Sequence, residues 1–114
     1  MEYHELTIES AGKLLASHQI SSFDLTSALI DRIEKYDDEI RAFITVDKTM
    51  ALEQAKKADQ DIAANKILPL TGVPIALKDL LCTKGIKTTC GSQILNDFIP
   101  QYDGTIVNKL KKNG

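Results

Sequence analysis

The chain has 114 residues, of which 43% are hydrophobic and 26% are charged, as in one small globular domain or part of a larger one. Its formal net charge of -2 excludes a bulk attraction to phosphate groups, so nucleic-acid binding is not predicted for these residues alone. The chain opens without a basic segment followed by an apolar one, and no apolar run reaches the length of a membrane span, so we expect a cytoplasmic protein without membrane contact.

The first third of the chain is predicted to be helical. Thr7 suits the N-cap of a helix that runs to about His18, because apolar residues follow at steps of three and four. Ser21 begins a second helix that runs to about Tyr36. Ser21 and Asp24 have the spacing of a capping box, with Asp in place of the usual Glu.

The middle of the chain is predicted to alternate strand and helix. Residues 42–46 are β-branched and aromatic, which favours a strand. Asp47 then caps a third helix that runs to about Ala64, with Asp59 among its solvent-facing positions. Residues 73–77 form a short apolar strand.

The last part of the chain is predicted to hold short strands and one helix. Residues 81–90 indicate an irregular hairpin or two short strands. Ser92 is placed to cap a helical turn over residues 93–96, and Asp103 to cap a final helix over Thr105–Lys112. Helices that alternate with short apolar strands predict the α/β class.

Lys78 is the candidate catalytic residue, because it directly follows the apolar strand. Burial disfavours the ammonium form, so a lysine in a dry site can act as a base. To be neutral at pH 7, its pKa must fall by about three units from about 10.4, which requires a closed pocket. From physics alone, a lysine at the end of a strand more often extends its ammonium into solvent.

A lysine base also needs a nucleophile within hydrogen-bond reach. The candidates in the following segment are Thr88, Thr89, Cys90 and Ser92. A dyad of Ser92 with Lys78 is conceivable, although the cap explains Ser92 better.

Cys82 and Cys90 are the only cysteines, and their spacing does not predict a zinc site. Neither histidine lies near enough in sequence to complete one, and the glycines are too scattered for a phosphate-binding loop. We therefore expect no metal site and no cofactor-binding residues in this chain. The sequence leaves open whether the two thiols are free or form a disulfide.

Three strings carry a resemblance to a known family. They are Gly72-Val-Pro-Ile-Ala-Leu-Lys-Asp79, Cys82-Thr-Lys-Gly-Ile-Lys-Thr-Thr-Cys-Gly-Ser92 and Tyr102-Asp-Gly-Thr-Ile-Val107. Together they resemble the amidase signature family, and the second string is most similar to the branch formed by A subunits of glutamyl-tRNA(Gln) amidotransferases. The similarity spans nearly the whole chain. Two departures from the pattern are Leu80, where a polar residue is usual, and residues 101–104.

The resemblance implies a catalytic group of one lysine, one serine with a cis peptide bond and one nucleophilic serine. Lys78 matches the lysine through its place in the Lys-Asp pair. Both serines belong to a Gly-Ser-rich segment that does not occur within residues 1–114. We therefore expect residues 1–114 to be the N-terminal part of a single amidase domain, with helices leading into the first strands of a mixed sheet, and to be inactive alone.

The resemblance also implies partners. The A subunit would hydrolyse glutamine and supply ammonia to a B subunit, where ATP and magnesium activate the glutamyl group of misacylated tRNA, while a small C subunit joins the two. Two alternatives remain at this stage. One is the N-terminal part of another amidase-signature hydrolase, and the other is a non-catalytic, truncated module that binds a partner.

Overall fold

The computed structural model describes residues 2–114, which form four α-helices joined by turns and irregular segments. The helices are α1 (Ile8–Ala16), α2 (Ser22–Ile40), α3 (Lys48–Ala63) and α4 (Thr105–Lys112). Short 3-10 helices lie at Tyr3–Glu5 and Gln93–Leu95. Residues 2–114 contain no β-strand, so the predicted α/β class with the start of a mixed sheet is wrong for this part of the chain.

The N-caps predicted for the first three helices are confirmed. Thr7 and Ser10 form a reciprocal capping box at the start of α1. The hydroxyl of Ser21 accepts the N–H of Asp24 at 2.9 Å, without the return bond of a full capping box. Asp47 caps α3 in the same way. Each cap satisfies an N–H that has no partner inside its helix.

Helices α1 and α3 end in the same motif. The N–H of Gln19 donates to the carbonyl of Leu14, and His18 between them has a left-handed backbone with φ of 56°. Asn65 takes the equivalent left-handed position after α3. This is the Schellman arrangement, which satisfies carbonyls at a helix end. His18 therefore lies just beyond α1 and not in its last turn.

The prediction of a strand at residues 42–46 is wrong, because an acidic side chain binds the start of this segment. Helix α2 continues past Tyr36, and the carboxylate of Asp37 accepts the N–H groups of Ala42 at 2.7 Å and Phe43 at 3.2 Å. These donors are used locally and are not available to a neighbouring strand.

The strands predicted at residues 73–77 and within 81–90 are also absent from the described chain. Residues 74–77 have no regular secondary structure and pair with no other described segment. Residues 81–90 form successive turns, whose N–H groups donate to nearby carbonyls, to aspartates or to residues 98–100. β-Branched side chains favour extended backbone, but only a hydrogen-bonded neighbour makes it a strand.

The hydrophobic core is small and lies where the first three helices meet. Its buried centre consists of Ala11, Leu15, Leu25 and Ile62. The accessible surface is 8003 Å², against about 6,200 Å² for a compact monomer of this mass. The described residues therefore expose more surface than a self-sufficient domain of this size.

Asp59 joins α3 to the start of α2. Its carboxylate accepts the N–H groups of Ser22 at 2.6 Å and Phe23 at 3.0 Å, so Asp59 is half-buried and not solvent-facing as predicted. The hydroxyl of Ser22 donates to the carbonyl of Gly72 at 2.8 Å. These bonds attach the segment after α3, which leads to Lys78, to the helical core.

Candidate active site

Lys78 follows the irregular segment 74–77 and begins a tight turn. Its carbonyl accepts the N–H of Leu81 at 3.0 Å, which closes the turn over residues 78–81. The side chain is exposed and makes no hydrogen bond or ion pair with residues 2–114. The apolar side chains around it are also partly open to solvent, with Ile75 45%, Leu77 36% and Leu80 51% exposed.

Asp79, the next residue, is bound on several sides. Its carboxylate accepts the N–H of Thr89 at 2.8 Å, the hydroxyl of Thr89, and the N–H of Gly91 at 3.2 Å. The N–H of Cys90 donates to the backbone carbonyl of Asp79 at 2.7 Å. Three successive N–H groups therefore converge on one residue, an arrangement that favours negative charge.

These N–H groups converge because of the turn over residues 89–92. The N–H of Ser92 donates to the carbonyl of Thr89 at 2.9 Å, and the two central residues, Cys90 and Gly91, both have positive φ, of 52° and 65°. This is the geometry of a type I′ turn, which a glycine adopts without strain. We call the contact between Asp79 and this turn the Asp79 clamp.

The clamp favours the ionised form of the carboxyl. The hydrogen bond from the Thr89 hydroxyl is the largest cause that lowers the pKa of Asp79 below its ordinary value, and the N–H groups of Thr89 and Gly91 act in the same direction. Thr89 is only 4% exposed, so its hydroxyl has little access to water as an alternative partner.

The segment that carries the turn is paired with a later part of the chain. The N–H of Gly85 donates to the carbonyl of Pro100 at 3.0 Å, and the N–H of Thr88 donates to the carbonyl of Phe98 at 3.1 Å. These two bonds hold the segment in place, but they are too irregular to form a ladder.

Asp103 binds the start of the paired segment. It does not cap α4, so the predicted cap is wrong. Gly104 occupies the N-cap position, while the Asp103 carboxylate accepts the ammonium of Lys111 at 2.7 Å and the N–H of Lys84 at 2.8 Å. The Lys111 contact is the first cause that lowers the pKa of Asp103, followed by the Lys84 N–H.

The alternative candidates do not assemble into a second site. Ser92 does not cap the turn Gln93–Leu95 with its side chain and forms no hydrogen bond to Lys78 in the described chain. Cys82 and Cys90 are free thiols, and Cys82 lies 3.6 Å from the Tyr102 hydroxyl. Residues 2–114 hold no cluster of three side chains suited to a metal ion.

Within the described chain, the site therefore supplies one amine, whose backbone is held on its C-terminal side, and no nucleophile bonded to it. Sequence reasoning proposed Lys78 as a candidate, which stays a prediction, and did not predict the Asp79 clamp, because the bonds of the clamp join residues ten and twelve positions apart. The Cys90-Gly91 pair was the available signal, since glycine in such a pair favours a turn with positive φ.

Comparisons with known proteins agree with one another. The family model described as Amidase matches residues 24–114. Over its full length the chain is 56% identical to the A subunit of glutamyl-tRNA(Gln) amidotransferase from Desulforapulum autotrophicum and 53% identical to that from Geobacter sp.. Over 96% of the chain it is 54% identical to the protein of the same name from Dehalococcoides mccartyi. The chain spans only 23% to 24% of the length of these curated relatives.

Proposed function

The chain belongs to the amidase family, and we propose that it is part of an amidotransferase A subunit that hydrolyses glutamine. The ammonia released would convert misacylated Glu-tRNA(Gln) to Gln-tRNA(Gln). The observation that carries this proposal is the similarity to A subunits across the whole chain, at 56% identity to one of them.

A second part of the proposal concerns the domain to which these residues contribute. We take residues 1–114 as the N-terminal part of a single amidase domain. The large accessible surface and the exposed apolar side chains beside Lys78 support this, because further structure would bury them. The unpaired backbone of residues 74–77 supports it as well, since its donors and acceptors are free to pair with another strand.

Lys78 is proposed as the catalytic lysine. It would hold a bridging serine ready to take the proton of a nucleophilic serine and later return it. The nucleophile would attack the side-chain amide carbon of glutamine, and the carbon–nitrogen bond would break as the proton passes to the departing ammonia. Water would then cleave the resulting glutamyl ester of the serine and release glutamate. Neither serine is assigned within residues 1–114, so these residues alone are proposed to be inactive.

The remaining chemistry is assigned to partners. A B subunit would bind ATP and magnesium and activate the glutamyl group of misacylated tRNA, and a C subunit would join the two larger subunits.

No helix in the described part of the chain is long and apolar enough to cross a membrane. We propose that the assembly acts in the cytoplasm.

Glutamine hydrolysis tests the proposal directly. The complete polypeptide that carries these residues, assembled with its partner subunits, is compared with its Lys78→Met variant and with Lys66→Met, which changes another exposed lysine. We expect Lys78→Met to lower kcat at least about 100-fold and Lys66→Met to leave it unchanged. Full activity of Lys78→Met would argue against Lys78 as the catalytic lysine, and hydrolysis of small amides without any tRNA-dependent transamidation would argue for another amidase.

A further inference from the structure

We propose that Asp79 and Thr89 form a positioning pair for Lys78, which holds the lysine backbone where proton transfer requires it. The inference rests on the proposed function, in which Lys78 is the catalytic lysine. Neither Asp79 nor Thr89 is proposed to touch glutamine. Their role is to fix the residue that does the chemistry.

The argument begins with the contrast between two neighbouring residues. Lys78 has no side-chain partner in the described chain, whereas Asp79 receives bonds from Thr89, Cys90 and Gly91. A flexible side chain is positioned only as well as the backbone that carries it. The Asp79 clamp lies one peptide bond away from that backbone.

Within the described residues, the restraints on Lys78 come from its C-terminal side. Residues 74–77 pair with no described segment, so nothing in that segment fixes Lys78 from its N-terminal side. On the C-terminal side, the turn bond from Leu81 and the Asp79 clamp hold it. The turn bond and the clamp are therefore the restraints on the backbone of Lys78 from its C-terminal side, and loss of the clamp leaves only the turn bond there.

A carboxylate suits this position because each of its two oxygens accepts. One oxygen binds the Thr89 N–H, and the other binds both the Thr89 hydroxyl and the Gly91 N–H. An amide at position 79 presents only one acceptor oxygen, and its NH₂ group would face donors. Asp79→Asn is therefore a nearly isosteric change that breaks half of the clamp.

The chain offers matched controls for both members of the pair. Thr88 is buried like Thr89, at 3% against 4% exposed, but its hydroxyl donates to the nearby Ile86 carbonyl. Asp37 is an aspartate that also holds backbone N–H groups, far in sequence from Lys78. Thr88→Val and Asp37→Asn therefore report the general cost of losing such bonds.

The test measures kcat and KM for glutamine in the complete assembly. A group displaced by about 1 Å costs up to about 100-fold, so we expect Asp79→Asn and Thr89→Val to lower kcat by about 10- to 100-fold, with KM changed by less than about threefold. Thr89→Ser keeps the hydroxyl, and we expect it to restore most of the activity lost in Thr89→Val. We expect Thr88→Val and Asp37→Asn to change kcat by less than about threefold.

Three results would overturn the inference. The first is a kcat of Asp79→Asn and Thr89→Val that equals the kcat of the two controls. The second is an equal loss of kcat in Thr89→Ser and Thr89→Val. If Asp79→Asn does not fold, the comparison of Thr89→Ser with Thr89→Val decides. The third is an active Lys78→Met variant, which would remove the proposed function itself. An inactive Lys78→Met with a normal Asp79→Asn would remove the positioning role alone.

Discussion

The carboxylate of Asp59 in α3 accepts the backbone N–H of Ser22 in the first turn of α2, with an N···O distance of 2.6 Å. It also accepts the N–H of Phe23. One helix thus caps another across 37 positions of sequence. This bond, together with the small core, sets how the first three helices pack.

The first prediction concerns this cap. Asp59→Ala removes the acceptor for two N–H groups at a half-buried helix start, and we expect the free energy of unfolding to fall by about 1–2 kcal/mol. Urea unfolding followed by circular dichroism measures it. Asp61→Ala is the control, because the side chain of Asp61 accepts no hydrogen bond in the described chain. Equal losses in the two variants would contradict the prediction.

The second prediction separates backbone strain from crowding at two glycines. Gly72 and Gly91 both have positive φ, but an added Cβ at Gly72 would lie 3.1 Å from the Cβ of Ser22, whereas nothing lies within 4 Å at Gly91. We expect Gly91→Ala to cost about 1 kcal/mol of unfolding free energy and Gly72→Ala about 2–3 kcal/mol. Chemical denaturation of both variants tests the order, which a smaller cost at Gly72 would refute.

The third prediction concerns acid stability. The pKa values of Asp79 and Asp103 are both lowered from 3.8 in the folded chain. At a pH between the folded and the unfolded pKa values, the unfolded chain therefore binds more protons than the folded chain. The stabilisation from these two carboxylates is present above the unfolded pKa and is lost as the pH falls through the folded pKa values. We expect the Tm to drop as the pH falls below about 4.

The control for acid stability is the double variant Asp79→Asn, Asp103→Asn. It should unfold more easily at neutral pH and show a shallower fall of Tm on acidification. A fall as steep as that of the unchanged chain would show that other carboxyl groups are responsible.

The fourth prediction concerns hydrogen exchange. The N–H groups of Ile75, Ala76 and Leu77 have no acceptor in the described chain, whereas the N–H of Thr88 is bonded and its side chain is buried. We expect the first three to exchange fast and Thr88 to be protected when residues 1–114 are studied alone. Protection at 75–77 in this preparation would mean that the segment has found a partner, such as a second copy.

The fifth prediction is that residues 1–114, purified alone, do not hydrolyse glutamine. The exposed Lys78 side chain has no hydroxyl or thiol within hydrogen-bond reach in the described chain, so no nucleophile can be activated there. An ammonia-release assay measures this. Turnover that disappears in Lys78→Met would contradict the prediction, because it would require a nucleophile within these residues.

The N-caps were predictable from sequence because they depend on local bonds. Thr7, Ser21 and Asp47 each accept from the residue three positions ahead, so the pattern alone contains the interaction. The helix ends were predicted less well, and α2 runs on because the acidic residues after Tyr36 tolerate helical backbone.

The strands could not be predicted because pairing is not a local property. Residues 42–46 have the composition of a strand, yet Asp37 takes the first two donors of that segment. Gly85 and Thr88 do form backbone hydrogen bonds, but the accepting residues, 98 and 100, lie beyond the 3-10 helix Gln93–Leu95. Lys78 was predicted as a candidate from its place after an apolar run and from a family string, and it stays a prediction, whereas the clamp beside it depends on the path of the backbone.

The short sequence span of the Asp79 clamp has a consequence for the order of folding. Its bonds close loops of only ten to twelve residues, so little chain entropy is lost when they form. Contacts of this kind form quickly and without help from distant segments. The surroundings of Lys78 can therefore be established early during synthesis, before any long-range pairing of residues 74–77.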